Sequence, residues 1–266
     1  MTFEVLQSGI WQLNSVVISD RGMVAVVDPG YFPRELKELA GLARSRGSVD
    51  AVLFTHGHWD HVVGWQTFPE ARVLGSPSLA DAVARDLPAA KKNLNGARDF
   101  DGRWYVERDP PLAWPQRVFP LEDGDALELA GTKAEVLTLP GHSSDGLALR
   151  IPGEGVLLVG DYLSPCEIPF VENVARYQAT LKRLSGVLDG VREVIPGHGP
   201  RLTVPRAREI LEQDLVYLGE LERYGAAGDV AGALAMRWPR AQDVPGMRDH
   251  HLENCVAVGL KLPAQP

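Results

Sequence analysis

The stretch THGHWDH, residues 55–61, brings His56, His58, Asp60 and His61 close together in the chain. In an extended segment alternate side chains point the same way, so His56 and His58 can converge on one point. If the backbone then turns into a helix, Asp60 and His61 face a second point. Imidazole and carboxylate groups are ligands that zinc, manganese and iron accept. The stretch therefore predicts a metal site in preference to a polar loop that happens to be rich in histidine.

The segments around this motif alternate between strand and helix. Residues 49–54, VDAVLF, form an unbroken apolar run, which is typical of a central strand buried on both faces. Such a strand delivers the motif at its carboxyl end, where the sites of α/β sheets commonly lie. Before it, PRELKELAGLARSRG has the apolar spacing of a helix. After it come a short strand, RVLGS, and a helix, SLADAVARDL.

Two strand-rich regions flank these segments. Residues 3–28 contain four β-rich runs, FEVL, IWQL, SVVIS and MVAVVD, and predict an antiparallel meander. Asp28 closes the last run, either as a turn former or as a residue that orients a metal ligand. Residues 117–161 have similarly spaced turns and predict a second meander.

Three further ligand-type residues follow predicted strands. His142 comes after EVLTLP in a Pro-Gly-His turn, and Asp161 ends the strand VLLVG. A helix predicted in VENVARYQATLKRLSGVLDG leads to the strand VREVI, which ends in a second Pro-Gly-His turn at His198. The glycines on both sides of His198 allow a tight turn that presents its imidazole. If the strands carry their ends to one rim, these residues join the motif in a single site.

Residues 88–117 interrupt the alternation. We predict no regular structure here, because the segment has no clean period and contains several prolines. Its aromatic side chains, Trp104, Tyr105 and Trp114, are candidate substrate contacts on a flap over the site. The alternative is a surface excursion whose rings pack on the core.

The last 60 residues are predicted to be helical. PRAREILEQDLVYLGELERYG and the shorter DVAGALAMRW carry apolar side chains at helical spacing. The final stretch, MRDHHLENCVAVGLKL, offers His250, His251, Arg248 and Asn254 as side chains that could reach a substrate, and we take His251 as the candidate substrate contact. The alternative is a solvated helix start with an asparagine near its core face.

Composition limits the classes of function. Hydrophobic residues make up 45% of the chain and charged residues 23%, which are ordinary values for a globular protein. The net charge of −8 argues against nucleic acid or an anionic membrane as a partner. The first residues contain neither a basic leader nor an apolar stretch, so we expect a cytoplasmic protein. Two cysteines, Cys166 and Cys255, do not make a disulfide framework and are expected to be reduced.

The sequence resembles the metallo-β-lactamase superfamily. The resemblance rests on THGHWDH, the Pro-Gly-His turns at 140–142 and 196–198 and the Gly-Asp pair at 160–161, in that order, and covers about residues 3–204. It implies an α/β fold, an αββα sandwich of two mixed sheets between helices. On this basis residues 1–204 form a metal-binding catalytic domain and residues 205–266 a C-terminal helical extension.

The resemblance also implies a site for two divalent metal ions, with zinc as the first expectation and iron or manganese as alternatives. The implied ligands are His56, His58 and His142 for the first ion, Asp60, His61 and His198 for the second, and Asp161 as the bridge between them. A hydroxide held by the two ions would attack an ester, a thioester or a lactone of a small molecule. Asp60 would also act as a catalytic residue that orients the hydroxide.

Differences between this sequence and individual branches of the superfamily narrow the choice of branch. Class B1 β-lactamases use a cysteine ligand, but Cys166 does not stand at the expected place and is interpreted as a packed thiol. The bridging Asp161 is similar to the glyoxalase II and lactonase branches. The turn GHSSDG and the tail MRDHHLENCV depart from glyoxalase II, which argues against specificity for glutathione thioesters.

Two other classes of function remain open on the same motifs. One is a persulfide-dioxygenase-like oxidoreductase that holds a single iron through His56, His142 and Asp161. The other is a noncatalytic metal-binding protein, which a blocked pocket would favour. The expected partner is a small-molecule substrate, with no nucleic acid and no membrane, and the sequence leaves a homo-oligomer open.

Overall fold

The first sheet begins with a meander, as the sequence predicts. In the computed structural model, which describes residues 1–242 and 244–263, strands β1 (Thr2–Gln7), β2 (Asn14–Asp20) and β3 (Met23–Val27) pair antiparallel. Three parallel strands continue the sheet: β4 (Ser48–Leu53), β5 (Arg72–Gly75) and β6 (Phe119–Pro120). The strand order therefore follows the chain from β1 to β6.

The second sheet is formed by later strands. It contains β7 (Ala126–Leu129), β8 (Thr132–Thr138), β9 (Leu147–Ile151), β10 (Val156–Leu158), β11 (Glu193–Ile195) and β12 (Leu202–Thr203). β7 to β10 form the predicted antiparallel meander, β11 joins β10 in parallel, and β12 pairs antiparallel at the edge.

The helices lie between and after the strands. They are α1 (Pro33–Arg46), α2 (Trp59–Val62), α3 (Pro77–Ala84), α4 (Pro88–Trp104), α5 (Val174–Val187), α6 (Val204–Ala227), α7 (Val230–Ala235) and α8 (Met247–Ala257). Short 3-10 turns follow α2 at Val63–Thr67 and α5 at Leu188–Gly190. Among the described residues, none of these helices has the length and apolar character needed to cross a membrane.

The buried side chains form three layers. Along β4, Val52 packs in the layer that also contains side chains of α1, α3 and α4, whereas Ala51 and Leu53 pack in the layer between the two sheets. This burial on both faces is what the apolar run VDAVLF predicts. The third layer joins the second sheet to α5, α6, α7 and α8. The architecture is the αββα sandwich with C-terminal helices, so the predicted fold class is confirmed.

The prediction of an irregular segment at 88–117 is wrong for its first half. Residues 88–104 form α4, which begins with Pro88 in its first turn. Its buried face consists of Ala90, Leu94 and Ala97. This apolar stripe is narrow, and the helix contains two glycines, which have low helix propensity. The sequence therefore shows little of the helical period.

The run IWQL was also predicted to be a strand and instead forms a turn. Trp11 and Gln12 have left-handed backbone angles, with φ of 48° and 56°. Ile10 and Leu13 are buried, and Leu13 forms an isolated β-bridge with His198. The turn thus places Trp11 beside the second Pro-Gly-His motif.

Candidate metal centre

The motif THGHWDH lies at the carboxyl end of β4, as predicted. His56 and His58 occupy the extended segment between β4 and α2, and His58 is the residue before α2. Asp60 and His61 lie in the short helix α2 and are buried. The change from extended chain to helix gives the two pairs different directions.

Two groups of ligand-type side chains converge at this rim. The first group contains His56, His58, His142 and Asp161, and the second contains Asp60, His61 and His198. Within each group, one nitrogen or oxygen atom from every residue lies within 4.8 Å of the others. The structure therefore brings together all seven predicted ligands, with the six terminal ligands in the two predicted sets and Asp161 grouped with the first.

In the first group, ring nitrogens face one another at short distances. His142 Nε2 lies 3.2 Å from His56 Nε2 and 3.0 Å from His58 Nδ1. It is also 3.2 Å from Asp161 Oδ2. Since His142 Nδ1 faces the Phe170 carbonyl, Nε2 of the neutral ring is an acceptor and cannot form a hydrogen bond with the carboxylate oxygen that it faces. A shared cation satisfies all of them at once, and this donor set fits a divalent metal ion.

Asp161 contacts both groups through different oxygen atoms. Its Oδ2 lies 3.2 Å from His142 Nε2, and its Oδ1 lies 3.1 Å from His61 Nε2 and 3.4 Å from His198 Nε2. Oδ1 is buried and accepts no hydrogen bond within the part of the chain that the structure describes. A carboxylate in this position suits a bridge between two ions.

His198 and His142 each direct the second ring nitrogen, Nδ1, toward a backbone carbonyl. Nδ1 of His198 lies 2.9 Å from the Trp11 carbonyl, and Nδ1 of His142 lies 2.9 Å from the Phe170 carbonyl. Because a carbonyl only accepts, each Nδ1 carries a proton, and in the neutral form of each ring the lone pair is therefore at Nε2. Both rings are thus presented as ligands through Nε2.

Asp28 holds His61 in the same way. Its Oδ2 lies 2.9 Å from His61 Nδ1, and its two oxygens also accept from the backbone N–H and the hydroxyl of Thr55. The residue has φ of 49°, which is the left-handed turn conformation. Of the two interpretations that the sequence left open, the structure therefore supports both: Asp28 turns the chain and orients a predicted ligand.

Burial controls the charge of the first group. It lowers the pKa values of His56 and His58 well below the usual value, and neighbouring imidazoles add to this effect. Both rings are therefore neutral near pH 7 and can offer a lone pair to a metal ion.

Carboxylates control the charge of the second group. Burial opposes the imidazolium form of His61, but the carboxylates around it, first Asp161, outweigh burial and raise its pKa well above the usual value. For His198, the charges of Glu167 and Asp161 likewise outweigh burial and raise the pKa to about 10. The second group therefore favours positive charge at its centre.

A cavity of about 1080 Å³ reaches this centre. Its lining includes His58, Asp60, His142, Asp161 and His198, so both groups are accessible from it. Much of the remaining wall comes from Trp11 and Trp59, from α3, α4 and α8, from residues 143–145, and from Glu167, Ile168, Phe170 and Glu172. A cavity of this size accommodates a small molecule.

The four side chains that the sequence predicted as substrate contacts lie away from the cavity wall. Trp104 and Tyr105 are 63% and 91% exposed at the end of α4, and Trp114 donates a hydrogen bond to the Ala90 carbonyl. His251 is buried, with its ring nitrogens 2.9 Å from the Tyr217 hydroxyl and from the Ala233 carbonyl. Within the described chain, the cavity wall does not include these four side chains.

Other residues form the wall instead, and the sequence analysis missed most of them. They include Trp11, Trp59, Lys92, Glu167, Phe170 and His250. Trp59 could have been found from its place inside the metal motif. His250 was one of the four side chains of the final stretch that could reach a substrate, but His251 was taken as the candidate, because the sequence does not fix which side of α8 faces the cavity.

The sequence profile of the metallo-beta-lactamase superfamily matches residues 8–224. The chain belongs to this superfamily, and the predicted resemblance is confirmed. One relative is a hydroxyacylglutathione hydrolase of Aeromonas hydrophila, 32% identical over 170 residues, which are 62% of this chain and 52% of the relative. This chain therefore spans about half the length of that relative.

Another relative and a solved structure extend the comparison. An acyl-coenzyme A thioesterase of Bos taurus is 28% identical over 198 residues, covering 65% of this chain and 68% of the relative. A metallo-beta-lactamase family protein from Thermus thermophilus superimposes with a TM-score of 0.69 at 23% identity. That superposition covers 97% of this chain and 91% of the other, and it shows the common fold.

Proposed function

We propose that the protein is a metal-dependent hydrolase that cleaves an ester, a thioester or a lactone of a small molecule at a two-metal centre. The observation that carries the proposal is Asp161, whose two carboxylate oxygens each face a different ligand group. One group alone would explain a single metal ion. Two complete groups that share a carboxylate are what a pair of ions requires.

We propose that the two groups of ligand-type side chains each serve one metal ion. His56, His58 and His142 would hold the first ion, Asp60, His61 and His198 would hold the second, and Asp161 would be a ligand to both. Two divalent ions, which we propose to be zinc, would supply Lewis acidity that polarises a carbonyl and makes water a nucleophile near neutral pH.

The protein side chains position the reactants. Asp60 lines the cavity, and its Oδ2 lies 3.5 Å from His198 Nε2. We assign it to hold a water molecule as a hydrogen-bond acceptor and to fix the direction of attack. Trp11, Trp59 and Phe170 give the cavity apolar walls that exclude bulk water from the reacting carbonyl.

Two further observations support a hydrolase of small molecules. The open cavity at the centre fits a catalyst better than a noncatalytic metal-binding protein, for which a blocked pocket is expected. The two relatives are named for activities on thioesters, hydroxyacylglutathione in one and acyl-coenzyme A in the other. A thioester is therefore the first substrate class to test, followed by esters and lactones.

The test is metal analysis of the purified wild type and of His198→Ala, together with a substrate panel. We expect about two ions per chain in the wild type. In His198→Ala we expect about one ion, because the second group loses one of its three own ligands. The matched control is His250→Ala, since His250 lines the cavity but belongs to neither ligand group. This variant should retain both ions.

The same measurements would contradict the proposal if they favoured the one-iron oxygenase. That enzyme would contain about one iron per chain, keep it in His198→Ala, and consume oxygen with glutathione persulfide. Binding of about two ions without turnover of any ester, thioester or lactone would support the noncatalytic alternative instead.

A further inference from the structure

Asn254 in α8 is a buried side chain with a complete set of hydrogen bonds. It is 0% exposed. Its Nδ2 donates to the Pro169 carbonyl at 2.5 Å and to the Tyr217 hydroxyl at 3.0 Å. Its Oδ1 accepts from the Val171 N–H at 3.0 Å. Two of these three bonds therefore hold the backbone on both sides of Phe170.

Phe170 is in turn the partner of a proposed metal ligand. Its carbonyl lies 2.9 Å from His142 Nδ1, and its ring centroid lies 5.5 Å from the His142 ring. The carbonyl keeps the proton on Nδ1 and leaves the lone pair of Nε2 directed toward the ligand group. The position of one backbone carbonyl thus determines how His142 faces the centre.

The segment that carries this carbonyl is held by two buried side chains, Ile168 and Val171, and by few hydrogen bonds of its own backbone. Residues 167–171 lie outside the helices and strands. Within the described chain, the hydrogen bonds formed by their backbone go to Asn254 and to His142. His250, one turn before Asn254 in α8, adds an edge contact to the Phe170 ring at 5.1 Å between centroids. Without Asn254, the peptide groups on both sides of the Phe170 carbonyl would lose their side-chain hydrogen bonds.

We propose that Asn254 is a positioning residue for the metal centre: through the backbone of residues 169–171 it holds the Phe170 carbonyl, and thereby the His142 imidazole, in the orientation of a ligand. The C-terminal helix then sets the affinity of the first metal ion from outside the ligand set. The inference rests on the proposed metal centre. Groups that orient metal ligands typically account for about 10- to 100-fold in metal affinity.

The experiment compares Asn254→Leu with two controls that keep the hydrogen bonds of Asn254 to Pro169 and Val171. Tyr217→Phe removes the third partner of Asn254 but leaves its bonds to residues 169 and 171. Cys255→Ala removes a buried side chain from the same helix and measures the cost of weaker packing alone. Asn254→Asp, which keeps the acceptor for Val171 and loses the donor to Pro169, serves if Asn254→Leu does not fold.

Two readouts are needed, and one of them requires no metal. Zinc affinity is measured by competition with a chelator after the protein has been stripped of metal. The Nδ1–H resonance of His142 is followed by proton–nitrogen NMR in the metal-free protein. We expect Asn254→Leu to lower the affinity for one zinc ion by about 10- to 100-fold and to lose or broaden this resonance. Asn254→Asp should show a smaller loss of affinity and a weakened resonance.

The controls decide between positioning and simple stability. Tyr217→Phe and Cys255→Ala should keep the zinc affinity and the His142 resonance even where their melting temperatures fall. Wild-type affinity and a sharp resonance in Asn254→Leu would overturn the proposal, as would a loss of affinity in Cys255→Ala that matches its loss of stability. If the wild type bound no metal, the proposed function would fail, whereas the NMR comparison would still decide whether Asn254 orients His142.

Discussion

Cys166 lies close to the proposed metal centre without belonging to either ligand group. Its Sγ is 3.4 Å from the Ser164 hydroxyl, and the residue is a free, partly buried cysteine. Burial raises the pKa of the thiol to about 11, and the nearby charge of Glu167 adds to this effect. A neutral thiol is a poor metal ligand and a poor nucleophile, which agrees with the interpretation of Cys166 as a packed side chain.

This environment predicts slow alkylation of Cys166. At pH 8 the thiolate fraction is small, so iodoacetamide should react roughly 100-fold more slowly than with an unperturbed cysteine, and the rate should rise with pH toward 11. Mass spectrometry of the folded protein and of the same protein in urea gives the two rates. Equal rates in both states would show that the thiol is exposed and that its pKa is not raised.

The ligand residues could be predicted from the sequence because local signals mark them. His56, His58, Asp60 and His61 lie within one short motif, and the other three follow strands or glycine turns. The backbone groups that orient these ligands could not be predicted in the same way. The carbonyl groups of Trp11 and Phe170 hold His198 and His142, and a carbonyl is present at every residue. Only the folded chain shows which carbonyl is used.

Among the secondary-structure elements, α8 shows why substrate contacts were harder to predict. His250 and His251 are adjacent, so they point about 100° apart around the helix. His250 lines the cavity, whereas His251 is buried against Tyr217. The sequence identifies the helix but not its rotation relative to the cavity, because this rotation depends on contacts with distant segments. For α4 the sequence did not identify even the helix, because its apolar stripe is narrow.

The placement of α4 brings two positive charges to the cavity. Lys91 and Lys92 line it from α4, together with Asp99 of the same helix, whereas Glu167, Glu172 and Glu253 contribute negative charge from the loop before α5 and from α8. Lys91 forms an ion pair of 2.8 Å with Asp86. Lys92 forms no ion pair with any residue that the structure describes. We therefore expect Lys92 to bind the anionic end of a charged substrate.

Lys92→Gln tests this expectation. For an anionic thioester such as acetyl-coenzyme A, the KM should rise by up to about fivefold, which corresponds to about 1 kcal/mol for an exposed ion pair. For a neutral ester such as 4-nitrophenyl acetate, the KM should not change. Lys91→Gln is the matched control and should have the smaller effect, since Asp86 already pairs with this ammonium. A similar rise of KM for the neutral ester would contradict an electrostatic role.

At the scale of the whole molecule, the C-terminal helices share a core with the second sheet. The apolar layer behind that sheet includes Leu157 and Val194 from its strands together with Ile210, Leu218 and Leu221 from α6. Cys255 of α8 belongs to the same layer. Arg240 also lies 2.6 Å from the buried Asp214 of α6 and donates to the Ser164 carbonyl, close to the metal centre. The match to the superfamily profile likewise runs to residue 224, inside α6.

These contacts predict that residues 1–204 do not form a stable domain on their own, so the boundary proposed at residue 204 would mark a change of structure and not an independent unit. Removing α6 to α8 leaves only α5 on this face of the second sheet and deletes Ile210, Leu211, Leu218 and Leu221, each of which contributes about 2 kcal/mol by burial. Their sum of roughly 8 kcal/mol is comparable to the whole stability of a typical domain.

The experiment compares residues 1–204 with a control chain of residues 1–261, which retains α8. Circular dichroism during heating should show a cooperative transition for the control and none for the shorter chain. The shorter chain should also bind a dye for exposed apolar surface and fail to retain zinc, because α6 no longer supports the strands that carry Asp161 and His198. Cooperative unfolding of residues 1–204 with metal still bound would show instead that the sandwich folds without its C-terminal helices.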